Sequence, residues 1–96
     1  MYHVQWRQTA VAQLAGAWRE ADGTARAAIA AAVRQIGVRL RDDPWGQGES
    51  RSEEERIVLI APVGVIFHVD AQERRVIVLR AWVFGHKGRS GEGAGS

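Results

Sequence analysis

Three apolar runs in the second half of this chain, and the shortness of what separates them, constrain its fold most. Residues 56–61, 62–69 and 75–84 are rich in Val, Ile, Leu and Phe. The first two meet at Ala61-Pro62, and only Asp70 to Arg74 separates the second from the third. β-Branched runs bounded by turn residues read as strands. Connections this short cannot make a parallel crossover, so the three strands form an antiparallel meander.

Upstream, the period changes. Tyr2, Val4 and Trp6 alternate with His3 and Gln5, which predicts a short strand with one buried face. Thr9 is placed to cap a helix over residues 10–21, with Val11, Leu14 and Trp18 on one side. Asp22-Gly23 makes a turn, and Thr24 is placed to cap a second helix over 25–41. Ile29, Val33, Ile36 and Leu40 form its apolar stripe, opposite Arg26, Arg34 and Arg41. Gly37 inside that helix costs about 1 kcal/mol against Ala and suits close packing. Asp43-Pro44 ends it, because a residue before proline avoids the α region. The order is β-α-α-β-β-β. The expected class is α+β: a helical hairpin on one face of a small, mainly antiparallel sheet. Residues 1–86 read as one domain, and the Gly- and Ser-rich stretch 87–96 as a disordered tail or an addition to the native chain.

Composition removes several classes of function. Ninety-six residues make one modest core. There is no cysteine, hence no disulfide, thiolate metal site or cysteine nucleophile. No run approaches the roughly 20 apolar residues of a membrane span. The N-terminus carries no cationic stretch followed by an apolar one, so no signal peptide is expected and a cytoplasmic location is. The net charge is +2, divided as +4 over residues 1–41, −5 over 42–55 and +3 over 56–96. Twelve of the thirteen cations are Arg. With fifteen Ala and eleven Gly, that fits a GC-rich genome as well as it fits phosphate binding.

Strand alternation places candidate residues on one sheet face. Arg80 cannot be buried unpaired, so its side of the last strand is expected to point outward, with Val76, Val78, Trp82 and Phe84. The same logic turns Ile66 and His68 of the middle strand outward, and Arg56, Val58 and Ile60 of the preceding one. His86 follows just past the last strand. Such a face is too apolar for free solvent and reads as a partner surface built on Ile66, Val78, Trp82 and Phe84. Two alternatives stand beside it. The face is covered by a loop or the tail, or it binds an RNA strand, with Arg on phosphates and Trp82 stacking a base.

The catalytic inventory is short. The acidic residues crowd one loop, and no carboxylate pair is apposed. Three scattered His lack metal-ligand spacing, and no cofactor motif is present. Gly46-Gln47-Gly48 is not followed by the Lys of a phosphate-binding loop. His86 can serve as a general acid or base near neutral pH, or be an ordinary surface histidine.

Taken together, residues 2–86 resemble the RelE/ParE superfamily of bacterial type II toxins. The resemblance rests on the element order and on Tyr2-x-Val4-x-Trp6 followed by Ala10 and Leu14. It rests also on Asp43-Pro44, Arg56 to Ile60, Gly64 to Asp70 and Val76 to Trp82. Gly48-Glu49-Ser50-Arg51 looks like a loop signature of one branch. The resemblance implies a cognate antitoxin as partner, in a homo- or hetero-oligomer, and one of two activities. RelE-like members cleave messenger RNA on the ribosome, where a 2′-hydroxyl attacks the adjacent phosphate. That reaction needs a base, an acid and cations. ParE-like members inhibit DNA gyrase without that set. On the first and leading reading, Arg56 and Arg80 are the phosphate cations, His86 the acid or base and His68 an auxiliary. The resemblance also implies an aromatic-Arg pair opening the middle strand and a Tyr near the end. Here Val63-Gly64 stands at the first place, and Gly and Ser at the second. A third reading is an interaction module that has lost toxicity.

Overall fold

The computed structural model describes residues 1–46, 49–50 and 55–84. The elements run β1 (His3–Trp6), α1 (Gln8–Glu20), α2 (Gly23–Asp42), a 3-10 turn (Pro44–Gly46), β2 (Glu49–Ser50), β3 (Glu55–Ile60), β4 (Val63–Asp70) and β5 (Arg75–Val83). The helical hairpin and the β3-β4-β5 meander stand as expected, and the two-residue β2 is an addition. The sheet order is β1-β5-β4-β3-β2. β1 lies parallel to β5, and the other pairings are antiparallel.

Arg7 is the joint between β1 and α1. Its N–H closes the ladder on the Val78 carbonyl at 2.9 Å, and its own carbonyl accepts the first helical bond from Val11 N–H at 3.0 Å. The helix therefore starts at Gln8, with Arg7 as a cap that contributes no side-chain bond, and Thr9 falls inside it. At α2 the cap is Asp22 rather than Thr24. The Asp22 carboxylate accepts from Ala25 N–H at 2.8 Å. A carboxylate there both satisfies an orphan donor and complements the helix dipole. Arg26 then reaches back to the carbonyls of Trp18 and Arg19, at 2.9 and 3.4 Å, and lies over the Trp18 ring. That guanidinium satisfies the open C-terminus of α1 and locks the hairpin angle.

The core lies between α2 and one sheet face. Ile29, Ile36 and Leu40 bury their stripe against Val58, Val65, Phe67, Val76 and Val78, and Ala10 joins from α1. Gly37 does not serve close packing. A Cβ at that position would meet nothing within 4 Å.

The facing of two strands differs from the alternation argument. In β3, Val58 and Ile60 belong to the core side, with Arg56 in the same phase, while Leu59 is 58% exposed. In β5, Val76 and Val78 are fully buried rather than outward, and Ala81 is buried too. A bulge explains both halves of β5. Ile66 pairs with Arg80 and Phe67 with Val78, which leaves Leu79 as the extra residue. An inserted residue shifts the phase by one, so apolar positions on both sides of it reach the same core. Strict alternation, extended backward from Arg80, therefore inverted the first half of the strand.

Candidate functional site

The helix-free face of the sheet carries the candidate residues that remain together. Strand register arranges it in rows. His3, Arg75 and Asp70 form one row across β1, β5 and β4. Gln5, Ile77, His68 and Glu55 form the next. Arg80, Ile66 and Ile57 follow, and then Trp82, Gly64 and Leu59. The upper half is polar and the lower half apolar, with Arg80 at the boundary.

Arg80 is exposed, and His68 is half-buried one row away on the adjacent strand. The two are diagonal neighbours on one face, with the Leu79 bulge between their rows. Arg56 does not join them. It stands in register with the core residue Phe67, and its guanidinium donates to the Trp45 carbonyl at 3.3 Å. It thereby pins the turn after α2 to the sheet from the helix side. The expected cluster of Arg56, His68 and Arg80 is thus divided by the sheet itself.

The four residues expected on a partner surface also separate. Ile66 lies on the open face but is covered by its neighbours, with 7% exposed. Trp82 and Phe84 are half-buried, and the Phe84 N–H is held by the Pro62 carbonyl at 2.7 Å. Val78 is a correction, since the bulge places it at 0% exposure in the core. His86, the tail 87–96 and Gly48 and Arg51 lie outside the described residues.

Gly64 and Trp82 explain the lower half of the face. A Cβ on Gly64 would sit 2.6 Å from two indole carbons and 2.8 Å from a Leu59 methyl carbon. No side chain fits there while the indole lies across β4. The place at which the resemblance implies an Arg is therefore filled by an aromatic ring from the next strand.

Arg75, His3 and Asp70 were missed. Arg75 stands 3.9 Å from the Asp70 carboxylate, and its Nε is buried with no hydrogen-bond partner among the described residues. The outward phase of His3 and Gln5 was legible, but a short strand does not announce which later strand it joins. Among the described residues, no three His, Asp or Glu side chains gather as metal ligands. No helix there is long and apolar enough to cross a membrane.

No protein-family model matches the chain, and no curated protein sequence does. Solved structures do. A chain of the RelBE2 toxin-antitoxin complex from Mycobacterium tuberculosis is 21% identical, with a TM-score of 0.66, over 85% of this chain and 96% of that one. A chain of the chromosomal ParDE system from P. aeruginosa is 20% identical, with a TM-score of 0.69, over 88% and 98%. The isolated RelE toxin of E. coli is 12% identical, with a TM-score of 0.61, over 91% and 88%.

The fold is that of the RelE/ParE toxins.

Within the RelE/ParE fold, this chain presents a half-polar, half-aromatic sheet face. Its cations there are Arg75 and Arg80, and its described imidazoles are His3 and His68. Such a face can take an anion at Arg80 and a flat or apolar group against Trp82 and Leu59. Three cations converging on one phosphate are not available from the described residues, because Arg56 faces the other way.

Proposed function

We propose that this chain is the toxin of a type II toxin-antitoxin pair, held silent in the cytoplasm by a protein partner. The observation that carries this reading is the fold, shared over nearly the full length of chains from both RelBE and ParDE systems. We propose further that it acts by protein contact, as a ParE-like inhibitor of DNA gyrase, rather than by cutting RNA. The Gly64–Trp82 pair supports this choice. Phosphoryl transfer gains most from preorganised cations aimed at the developing charge. Here the place for one such cation holds an indole, and Arg56 is committed to the Trp45 turn. What remains is an aromatic and aliphatic surface edged by Arg80, the composition of a protein-binding patch.

The ribonuclease remains the second reading, because Arg80 and His68 share the open face. Inducible expression of wild type, His86→Ala and Arg80→Ala in a bacterium separates the two. Pulse-labelled DNA and protein synthesis are followed together. Under the proposal, replication stops first, the DNA-damage response is induced, and His86→Ala remains toxic. Translation arrest relieved by His86→Ala, with RNA fragments ending in cyclic phosphate, would overturn it in favour of cleavage. Absence of any arrest in a host whose gyrase the purified protein does bind would overturn both toxin readings and leave the interaction module. Growth restored by co-expressing the neighbouring gene's product supports the antitoxin partnership.

A further inference from the structure

A groove of about 440 Å³ runs between β1 and α2, at the edge of the sheet that β1 forms. Two of its properties have no use among the described residues. The first is the edge of β1. No strand lies beyond it among the described residues. The N–H groups of His3 and Arg7 are spent on β5 carbonyl groups and the turn before them, at Arg74 and Val78. By alternation, those of Val4 and Trp6 point away from β5, toward the groove side. The Tyr2 N–H has the same phase, and the Arg41 carbonyl takes it at 2.8 Å. The edge is therefore closed by α2 at Tyr2 and open over residues 4–6.

The second property is Gly37. It carries a helix penalty in the middle of α2, yet a Cβ there would meet nothing within 4 Å. It relieves no contact among the described residues. It widens the groove instead, beside Val38, which is 45% exposed. Arg34 and Arg41 flank the pair on the same helix face. Among the described residues, no acidic side chain lines the groove. Asp42 stands 3.9 Å from Arg41, with both side chains about half-exposed, too weak a pair to neutralise it.

We propose that this groove is the docking site for an extended acidic segment of the partner protein, which adds as a further strand along β1. The identity of the segment's owner rests on the antitoxin reading above. The chemistry is drawn from the groove alone. Strand addition uses the open N–H groups for affinity and side-chain pockets for specificity. Arg34 and Arg41 are separated by about 10.5 Å along α2. Residues four apart in a strand are separated by about 13 Å. The splay of two arginine side chains covers the difference. The segment is therefore acid–x–apolar–x–acid, with the apolar side chain over Gly37 and Val38.

The test uses the full chain, labelled for amide NMR, and an acetylated seven-residue peptide with glutamates at its second and sixth positions around a central valine. A peptide with lysines in their place is the control. The expected result is saturable shifts at Val4, Trp6, Gly37 and Val38 with the glutamate peptide alone. Affinity then falls tenfold or more in Arg34→Glu. Gly37→Gln is the decisive variant. Gln favours the helix and fills the groove, so its melting temperature rises by a few degrees while its affinity falls tenfold or more. Equal binding of the lysine peptide, shifts confined to the Trp82 face, no shifts, or full affinity in Gly37→Gln would each overturn the proposal. Partner failure is distinguishable from groove failure. If a partner neutralises and binds Gly37→Gln as it does wild type, the groove proposal falls and the antitoxin reading stands. If no partner neutralises the wild type, the antitoxin reading falls, and the peptide titration still decides the groove.

Discussion

Gly64 and Trp82 depend on each other, because the indole lies where any side chain at 64 would have to go. The sequence shows a Gly opening an apolar strand, which by itself reads only as a weak strand position. Its purpose appears when Trp82 is placed across it. Gly64→Ala should destabilise the fold by about 1–3 kcal/mol, the usual cost of overpacking. The same substitution in a Trp82→Ala background should cost much less, a coupling of about 0.5–3 kcal/mol. Urea denaturation of the four proteins measures the cycle, and additive effects would show that the ring does not sit over residue 64. Helix caps were similarly half-legible. A polar residue before α2 was expected, and Asp22 takes the role because its carboxylate reaches the Ala25 N–H. Thr24, two positions later, already lies inside the helix.

At the scale of elements, the last strand carries the lesson. Period-two reasoning assumes an unbroken pleat, and β5 is broken at Leu79. A bulge leaves no compositional mark here, since Leu79 is as apolar as its neighbours. Its consequence is that Val76 and Val78 pack inward along with Ala81 and Val83. The strand also outruns β1, which ends at Trp6 opposite Val78. Beyond that point a side chain replaces the missing strand, as Gln13 of α1 accepts from the Ala81 N–H at 2.9 Å. Gln13→Leu keeps the shape and leaves that amide without a partner, at a cost of about 1–3 kcal/mol. Gln13→Glu keeps an acceptor and should cost clearly less. Chemical denaturation, with hydrogen exchange at the Ala81 amide, checks both. Equal stability of the two variants would remove the bond from the account.

For the molecule as a whole, the sheet divides core from site, and neighbouring residues of β5 test that division. Val78→Asp places an unpaired charge in the core and should abolish folding, since such a charge is among the costliest substitutions. Arg80→Asp, two residues on, should leave the circular dichroism and melting temperature nearly unchanged. A folded Val78→Asp protein would mean that the bulge, and with it the facing of the strand, is wrongly placed. The same division explains why only part of the candidate site could be read in advance. His68 and Arg80 share the open face, because each lies on the unbroken side of a local argument. Arg56 was not, because its phase depends on the register between β3 and β4, and one residue of register inverts every side chain.

The amino-acid sequence by itself determined the element order, the helical hairpin with its Ile29–Leu40 stripe, and the three-strand meander. Each follows from local periodicity and short connections, which need no knowledge of distant residues. Tertiary structure alone decided that β1 joins β5 in parallel, that Leu79 bulges, that Arg56 holds a turn, and that Trp82 covers Gly64. These depend on which backbone lies beside which, a choice made by burying one shared core. Periodicity along a single strand carries no record of it.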